Sequence, residues 1–442
     1  MENTLQHLEE ALATAKSAGA DAADASLVIN RSTSVKCRLG QLEQTGRSEN
    51  ASLSLRVFVG QKTARLTSSD ISRDAVSSLI DQAVIIAKNA PEDPHAGLLE
   101  TAEFATERTG DLDLFDAAQI GAEALFEAAK EIEQAALEVE NVEQVAGASA
   151  AAGDVLVATA TSNGFLGQLK RSSFSRFCGA VASDDSGKEV GYEQSGGPHL
   201  GDLLSPSEIG RIAGERAASK LGAVKITTGR FPVVFAPEQA HTLVNALIAG
   251  VSGPNVAMGM SFLKDCKNTQ AFTKGINIYD DPTRRRGLGS RLFDGEGAAS
   301  QKMALVSDGV LQGWLHNRSS ANELGDPLTG HARSMGAGVS ISNVFMEPGV
   351  PTPDELVSDI GFGFYVTDLL GHGPSNVTGD YSMGAKGFAI RDGQIAEPVK
   401  EVTIAGNLKD MFQTLMPAND LVFKRQINAP TVRVEGMMVA GE

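Results

Sequence analysis

Apolar residues in the first ninety positions switch between helical and strand spacing. Leucines recur every three or four positions between residues 3 and 19, which predicts an amphipathic helix. From about residue 25 to residue 68 the spacing changes to two, most regularly over residues 53–59, and this predicts strands. Helical spacing returns over residues 75–89 and ends before Pro91. The N-terminal region is therefore predicted to mix helices and strands.

The middle of the chain continues both patterns. One helix is predicted over residues 113–137, which are rich in Ala and Glu, and another over residues 205–221. Between these helices, residues 154–193 alternate like an antiparallel pair of strands or a meander. Asn163-Gly164 lies between two such runs and indicates a tight turn, because both residues accept positive φ readily.

The pattern predicts a two-domain α+β protein, with domains at residues 1–222 and 223–442. Residues 231–250 read as a short buried strand followed by a helix, with Pro at its first position. Further on, Asp308-Gly309 and Asp392-Gly393 each lie between apolar runs. Asp-Gly is a strong signal for a two-residue hairpin turn, so two hairpins are predicted.

The segment around Asp392-Gly393 has the highest density of glycine and turn signals in the chain. Its hairpin is predicted to bury Phe388, Ile390 and Ile395 on one face. Asn407 follows the next strand and is predicted to cap a short helix, because its side chain can accept a hydrogen bond from the first turn.

Composition narrows the functional classes. Apolar content is 42% and charged content 21%, as in an ordinary globular protein, and the net charge is −17. That charge argues against a nucleic-acid surface, which needs clustered Lys and Arg. The triplet Arg284-Arg285-Arg286 is read as a solvated loop. Three widely spaced cysteines indicate no disulfide framework, and the sequence predicts no membrane span, so a cytoplasmic protein is expected.

No catalytic motif stands out from the residues alone. The seven histidines show no metal-ligand spacing, and neither an HExxH helix nor a G-x-S-x-G elbow is present. Asp184-Asp185 pairs two carboxylates, but in a turn this favours solvated side chains over catalysis. His241 and Glu238 share a predicted helix without completing a site.

Two segments near the C-terminus carry a family resemblance. Residues 379–388, GDYSMGAKGF, and residues 397–411, EPVKEVTIAGNLKDM, resemble the C-terminal signature of the TldD/PmbA family of metallopeptidases, also named modulators of DNA gyrase. Shorter similarities at residues 162–165, 308–314 and 330–332 extend the resemblance over most of the chain. It implies an α+β N-terminal domain followed by a mostly antiparallel β C-terminal domain.

The resemblance places this chain in the PmbA (TldE)-like branch of the family. TldD-like members resemble zinc peptidases with an HExxxH helix and a cysteine near the C-terminus. Here Glu238 matches the motif glutamate, but Pro237 and Thr242 stand at the ligand positions. His241 is one residue early, which displaces it by about 100° around a helix. Residues 436–442 contain no Cys. No catalytic residue and no zinc are therefore expected in this chain.

The resemblance implies a cytoplasmic subunit of a peptidase assembly that acts on unfolded or small peptides. The expected partners are a TldD-like homologue, which would hold the zinc, and/or a second copy of the chain, in dimers enclosing a cavity. Neither nucleic acid nor a membrane is expected as a partner. Candidates for the substrate path or the subunit contact are Gly379, Asp380, Tyr381, Ser382, Gly406 and Asn407.

Two other classes of function remain open at this point. The chain could be a non-enzymatic, self-associating protein that binds peptides, or an independent hydrolase with an unrecognised site. Zinc analysis and a peptide-cleavage assay on the isolated chain distinguish them.

Overall fold

Six antiparallel strands form the first sheet, in the order β3-β2-β1-β4-β5-β6. The structure, a computed structural model, describes residues 2–107 and 110–441. β1 and β4 lie at the centre of this sheet, and β3 and β6 form its two edges. The strands are β1 (Ala22–Arg38), β2 (Gln41–Val59), β3 (Lys62–Ser68), β4 (Val142–Thr161), β5 (Leu166–Asp184) and β6 (Gly187–Gly197).

Four helices cover one face of this sheet. Successive side chains of a strand point to opposite faces, so Leu27 and Val35 of β1 both lie on the helix-covered side, where they are buried. The third and fourth helices approach each other closely at Gly210, where a Cβ would lie 2.1 Å from the carbonyl oxygen of Ile132. The helices are α1 (Glu2–Ser17), α2 (Arg73–Asn89), α3 (Ala122–Leu137) and α4 (Pro206–Ala218).

The opposite face of the first sheet packs against loops from the second half of the chain. Arg56 on β2 pairs with Asp24 of β1 at 2.6 Å and with Glu296 at 3.1 Å, and all three side chains are buried. At Gly167 on β5, a Cβ would lie only 2.5 Å from the ring of Phe293. This face is therefore an internal contact between the two halves of the chain.

The second half contains two further sheets. In the larger one, β14-β13-β12-β7-β17-β15, an additional β14–β17 pairing closes a five-stranded ring. The smaller one has the order β10-β9-β8-β11-β16. Only β7–β12 and β11–β16 pair in parallel among the described strands. The strands are β7 (Gly229–Phe235), β8 (Ile278–Asp280), β9 (Met303–Ser307), β10 (Val310–Leu311), β11 (Val344–Met346), β12 (Phe362–Leu370), β13 (Asp380–Arg391), β14 (Gln394–Asn407), β15 (Met416–Pro417), β16 (Ile427–Asn428) and β17 (Val432–Ala440).

The helices of the second half are short, apart from one. That helix, α5, buries Leu243 and Leu247 in the same core as Phe235 of β7 and Phe364 of β12. In the described part of the chain, no helix is both long and apolar enough to cross a membrane. The helices are α5 (Pro237–Gly250), α6 (Gly253–Ala257), α7 (Arg318–Leu324), α8 (Pro353–Val357) and α9 (Leu408–Gln413), with 3-10 turns at Thr101–Glu103, Leu200–Asp202 and Ser334–Gly336.

The α+β class and the mainly antiparallel C-terminal sheets are confirmed. Both predicted Asp-Gly hairpins form, with φ of 47° at Asp308 and Asp392 and 78° at Gly309 and Gly393. These values match a turn with two left-handed central residues. Asn407 caps α9 as predicted, since its side chain accepts a hydrogen bond from the backbone N–H of the helix.

Two predictions of local structure were wrong. The helix predicted from residue 113 begins only at Ala122. The preceding residues run extended along β5, where Ser172 bonds to the backbone of Leu114 and Asp116. In the β13–β14 hairpin, Ile390 is buried but Ile395 is 46% exposed and Phe388 is only half-buried. Bulges shift the register there and turn the predicted apolar face.

The arginine triplet lies in an exposed loop, as predicted, but its guanidinium groups have partners. Arg286 pairs with Asp113 at 2.6 Å and with Asp202 at 2.9 Å, while Arg285 lies 3.3 Å from Asp111. Arg284 stacks over the ring of Phe423. The triplet thus joins the first half of the chain to the second, although its charges remain partly exposed.

Candidate functional site

A cleft of about 740 Å³ lies beside the N-terminus of α5. Its walls come from β5 and β6, from the first turn of α5 and from the loop at residues 420–429. The Glu238 position singled out from the sequence is part of this lining. The cleft is therefore the natural place to test what the matched motif position can do.

The sequence places Glu238 in the cleft through the way α5 starts. Ala236 is extended and Pro237 occupies the first helical position. The N–H that proline lacks would have no partner within the helix at that position. Leu243 and Val244 are buried and set the rotation of the helix against the core. Glu238, in the first turn, then projects towards α4 rather than into the core.

Glu238 is held by an arginine. One Nη of Arg216, on α4, hydrogen-bonds to the Glu238 carboxylate, and the other Nη lies 2.9 Å from the carboxylate of Glu193 on β6. The same guanidinium donates to the carbonyl oxygen of Tyr192 at 2.8 Å. Glu193 is buried, so Arg216 neutralises a carboxylate that has little access to water. The three side chains form one bridged unit, Glu193–Arg216–Glu238.

The other motif positions do not form a metal-binding set. Thr242 donates its hydroxyl to the carbonyl oxygen of Gln239 at 2.6 Å, and Pro237 has no donor atom to offer. His241 has a buried Nδ1 for which the described residues provide no hydrogen-bond partner. Within the described ranges, no three or more His, Cys, Asp and Glu side chains are grouped so that they could hold a metal ion. The residues present do not fit the zinc that the motif would bind.

Burial and charge set the protonation of the neighbouring groups. Burial, reinforced by the nearby positive charge of Arg425, lowers the pKa of His241 to about 4, so the imidazole is neutral at pH 7. Burial, and next the charge of Glu238, raises the pKa of Tyr365 to about 12. Asp420 accepts hydrogen bonds from the backbone N–H and the hydroxyl of Thr431. The carboxylates around the cleft are thus each engaged by a fixed partner.

The candidates from the glycine-rich segment lie together, but elsewhere. Asp380 pairs in register with Asn407, and Tyr381 pairs with Gly406, at one end of β13–β14. Asp380 accepts hydrogen bonds from Asn407 at 3.2 Å and from Thr378 at 2.7 Å. The Tyr381 side chain is buried, with no partner for its hydroxyl among the described residues. These residues, with neighbouring Gly379 and Ser382, do not line the cleft beside α5.

Sequence reasoning missed the residues that define the cleft. Glu193 and Arg425, which line the cleft, and Arg216, which bridges Glu193 and Glu238, come from three separate parts of the chain and have no shared spacing in the sequence. The one sequence feature that could have indicated the bridge is Arg216, a charged residue beside the buried face of α4. A single charge of that kind is common, so it did not identify a partner.

Comparison with known proteins identifies relatives along the whole chain. Residues 23–87, 115–221 and 228–441 match the PmbA/TldA metallopeptidase domain 1, central domain and C-terminal domain, respectively. The chain is 31% identical to Metalloprotease PmbA of Escherichia coli O157:H7, covering 98% of this chain and 96% of that protein. It is also 31% identical to a Metalloprotease PmbA homolog of Haemophilus influenzae, covering 99% and 96%.

Solved structures give the same result for the fold. A Bacteroides thetaiotaomicron protein named as a modulator of DNA gyrase superposes with a TM-score of 0.92 at 25% identity, covering 100% of both chains. TldE from Thermococcus kodakarensis superposes with a TM-score of 0.86, covering 98% of this chain and 100% of that one; at 19% identity it shows the fold alone. With its three domain matches and its full-length relatives, the chain belongs to the PmbA/TldA metallopeptidase family.

Proposed function

We propose that this chain is the PmbA (TldE)-like subunit of a cytoplasmic metallopeptidase assembly that acts on unfolded or small peptides. In this proposal the chain binds and positions peptide, and the zinc belongs to a TldD-like partner. The subunit works as a heterodimer with that partner and/or as a homodimer. The observation that carries the proposal is the bridged unit Glu193–Arg216–Glu238, whose two carboxylates line the cleft.

The bridge leaves Glu238 poorly suited to act as a base. A general base must lie within hydrogen-bond reach of the nucleophile whose proton it accepts. The Glu238 carboxylate is instead bound to the Arg216 guanidinium, and Pro237 and Thr242 supply no metal ligands beside it. Because the motif positions supply no metal ligands and Glu238 is bound to Arg216, this arrangement supports a role in peptide binding rather than in bond cleavage.

The cleft suits an extended peptide. β6 is an edge strand, and its residues 194–197 line the cleft. Arg216 and Lys220 occupy the carbonyl oxygens of Tyr192 and Val190 further along the same strand. A peptide could therefore add to the sheet at the cleft end of β6, whose residues 194–197 line the opening.

The test is peptide cleavage by three samples: this chain, a TldD-like partner and their mixture. We expect no cleavage by this chain, and more cleavage by the mixture than by the partner. Glu238→Gln in this chain should leave the mixture's rate within about twofold of the original, since the residue is not used as a base. Changing the motif glutamate of the partner should abolish cleavage.

A second test of the proposal measures the metal content of the purified chain by elemental analysis. We expect no stoichiometric zinc in the purified chain, because zinc sites need three or four side-chain ligands. One zinc per chain that disappears in His241→Gln would contradict the proposal. Cleavage by this chain alone that disappears in Glu238→Gln would instead establish the independent-hydrolase alternative, while peptide binding without any gain in the mixture would establish the non-enzymatic one.

A further inference from the structure

A second cleft, of about 650 Å³, adjoins the one beside α5. We call it the basic pocket; it lies between β4–β5 and the loops at residues 288–295 and 332–341. Leu288 and Gln426 line both clefts, so the two openings are neighbours. A peptide bound in the first cleft therefore lies within reach of the second.

The charges that line the basic pocket are mostly positive. They are Lys170, Arg171, Arg291 and Arg333, against the single carboxylate of Asp294. Asp294 is fully engaged, because it accepts hydrogen bonds from the backbone N–H groups of Glu296, Ala298 and Ala332. This lining carries a net positive charge in a chain whose total is −17.

The arginines of the pocket are bonded to neutral atoms. Arg171 donates to the carbonyl oxygens of Leu288 and Ser290, the latter at 2.8 Å. Arg291 donates to the carbonyl oxygens of Ser340 at 2.7 Å and Ile341 at 3.0 Å. In the described part of the chain, neither has a carboxylate oxygen within the 4.0 Å of an ion pair.

Arg171 and Arg291 also repel each other. Burial, and next the charge of Arg291, lowers the pKa of Arg171. Asp280 and Asp294, although beyond ion-pair distance, partly offset the cost of burying Arg291, so an added anion would benefit Arg171 most. Arg333, at the rim, is exposed, and no side-chain partner is found for it in the described residues, so its guanidinium is open to a ligand.

We propose that the basic pocket binds carboxylate groups of acidic peptide segments, and so selects peptides rich in Asp and Glu for the adjoining cleft. This specificity rests on the proposed peptide-binding function of the chain. Arg171 and Arg333 are the specificity residues, because both line the pocket and neither has an ion-pair partner among the described residues.

The test measures peptide binding to the intact chain by fluorescence anisotropy at fixed ionic strength. The probes are two unstructured peptides that differ only in having a run of Glu or a run of Gln. We expect the Glu peptide to bind at least about tenfold more tightly, although the net charge of the chain opposes it. Arg171→Gln and Arg333→Gln should each reduce that preference by about tenfold.

Arg211→Gln is the matched control, because Arg211 is an exposed arginine on α4 that pairs with Glu215 outside both clefts. It should leave the preference unchanged. The Arg333 side chain has no bonding partner among the described residues, so its variant tests the pocket even if Arg171→Gln misfolds. Equal binding of the two peptides, or a preference that survives in both variants, would overturn the proposal, as would tighter binding of a single-stranded oligonucleotide of equal charge.

The same peptides separate this inference from the proposed function. If the mixture with a TldD-like partner cleaves both peptides equally well, the pocket assignment is wrong and the peptidase role stands. If binding discriminates between the peptides but the mixture cleaves neither, the pocket is correct and the peptidase role fails.

Discussion

Two arginines, one beside each of the adjoining clefts, are held by different kinds of acceptor. At the cleft beside α5, Arg216 lies between the carboxylates of Glu193 and Glu238 and is neutralised by them. In the basic pocket, Arg171 lies between the carbonyl oxygens of Leu288 and Ser290 and keeps its charge. The difference shows that the acceptor an arginine meets, rather than the presence of the arginine, decides whether a surface attracts an anion.

The comparison also assigns different energies to the two arginines. A charge between two carboxylates stabilises groups that would otherwise be buried and unpaired. A charge held by carbonyl oxygens is compensated only by their partial charges, so the loss of hydration offsets more of what its hydrogen bonds contribute. Removing the first arginine should therefore destabilise the fold more than removing the second.

The largest effect is expected for Arg216→Met. This change leaves Glu193 buried without a cation and should lower the free energy of unfolding by about 3 kcal/mol, measured by urea unfolding at pH 7. The loss should shrink as the pH falls. An unpaired buried carboxylate has a raised folded-state pKa, so it takes up a proton and no longer carries an uncompensated charge.

The control for this change is the double variant Glu193→Gln with Arg216→Met. It removes the buried charge together with its partner and should recover more than half of the lost stability. If the double variant is as unstable as Arg216→Met alone, the lost stability comes from packing of the arginine stem, and the two clefts do not differ in the way described.

An intermediate effect on stability is expected from changing His241, which lies on α5 close to the cleft beside that helix. The pKa of His241 is about 4 in the folded protein, against an ordinary value of 6.5 for histidine, so the unfolded chain binds the proton more tightly. Its contribution is therefore constant above about pH 6.5 and falls as the pH drops from there towards 4. His241→Gln should remove this dependence and stabilise the protein by about 2 kcal/mol at pH 4.5 relative to pH 7.

This effect is measured as the difference between urea unfolding curves at the two pH values. His372→Gln is the control, because His372 is exposed in the connection between β12 and β13. The two variants should differ at pH 4.5 and agree at pH 7. Identical acid sensitivity in both would show that the imidazole of His241 reaches water and is not desolvated by the cleft wall.

The smallest effect is expected for Arg171→Met in the basic pocket. It removes two hydrogen bonds to carbonyl oxygens but also relieves the repulsion from Arg291, so the net loss should be about 1 kcal/mol. Urea unfolding under the conditions used for Arg216→Met makes the two values directly comparable. A loss as large as that of Arg216→Met would mean that Arg171 has a compensating anion, which contradicts the uncompensated pocket.

Regular periodicity and turn chemistry determined much of the fold from the sequence. The Asp-Gly turns, the helix at Pro237 and the cap at Asn407 depend on residues adjacent in the chain, and each was predicted correctly. The boundary at residues 222 and 223 stays a prediction. The start of α3 could not be predicted, because the extended run before Ala122 is held by contacts with β5 and with the arginine triplet.

The family motif was also readable in the sequence, since Pro237, Glu238 and Thr242 lie within one helical turn and a half. What Glu238 does there was not readable, because Arg216 and Glu193 reach it from other elements. The basic pocket depends on hydrogen bonds between residues still further apart in the sequence, since Arg171 on β5 bonds to a loop more than a hundred residues later. Local spacing thus determined the elements and the family signature, whereas only the tertiary structure decided which charges are paired, because burial and acceptor geometry arise when distant segments pack together.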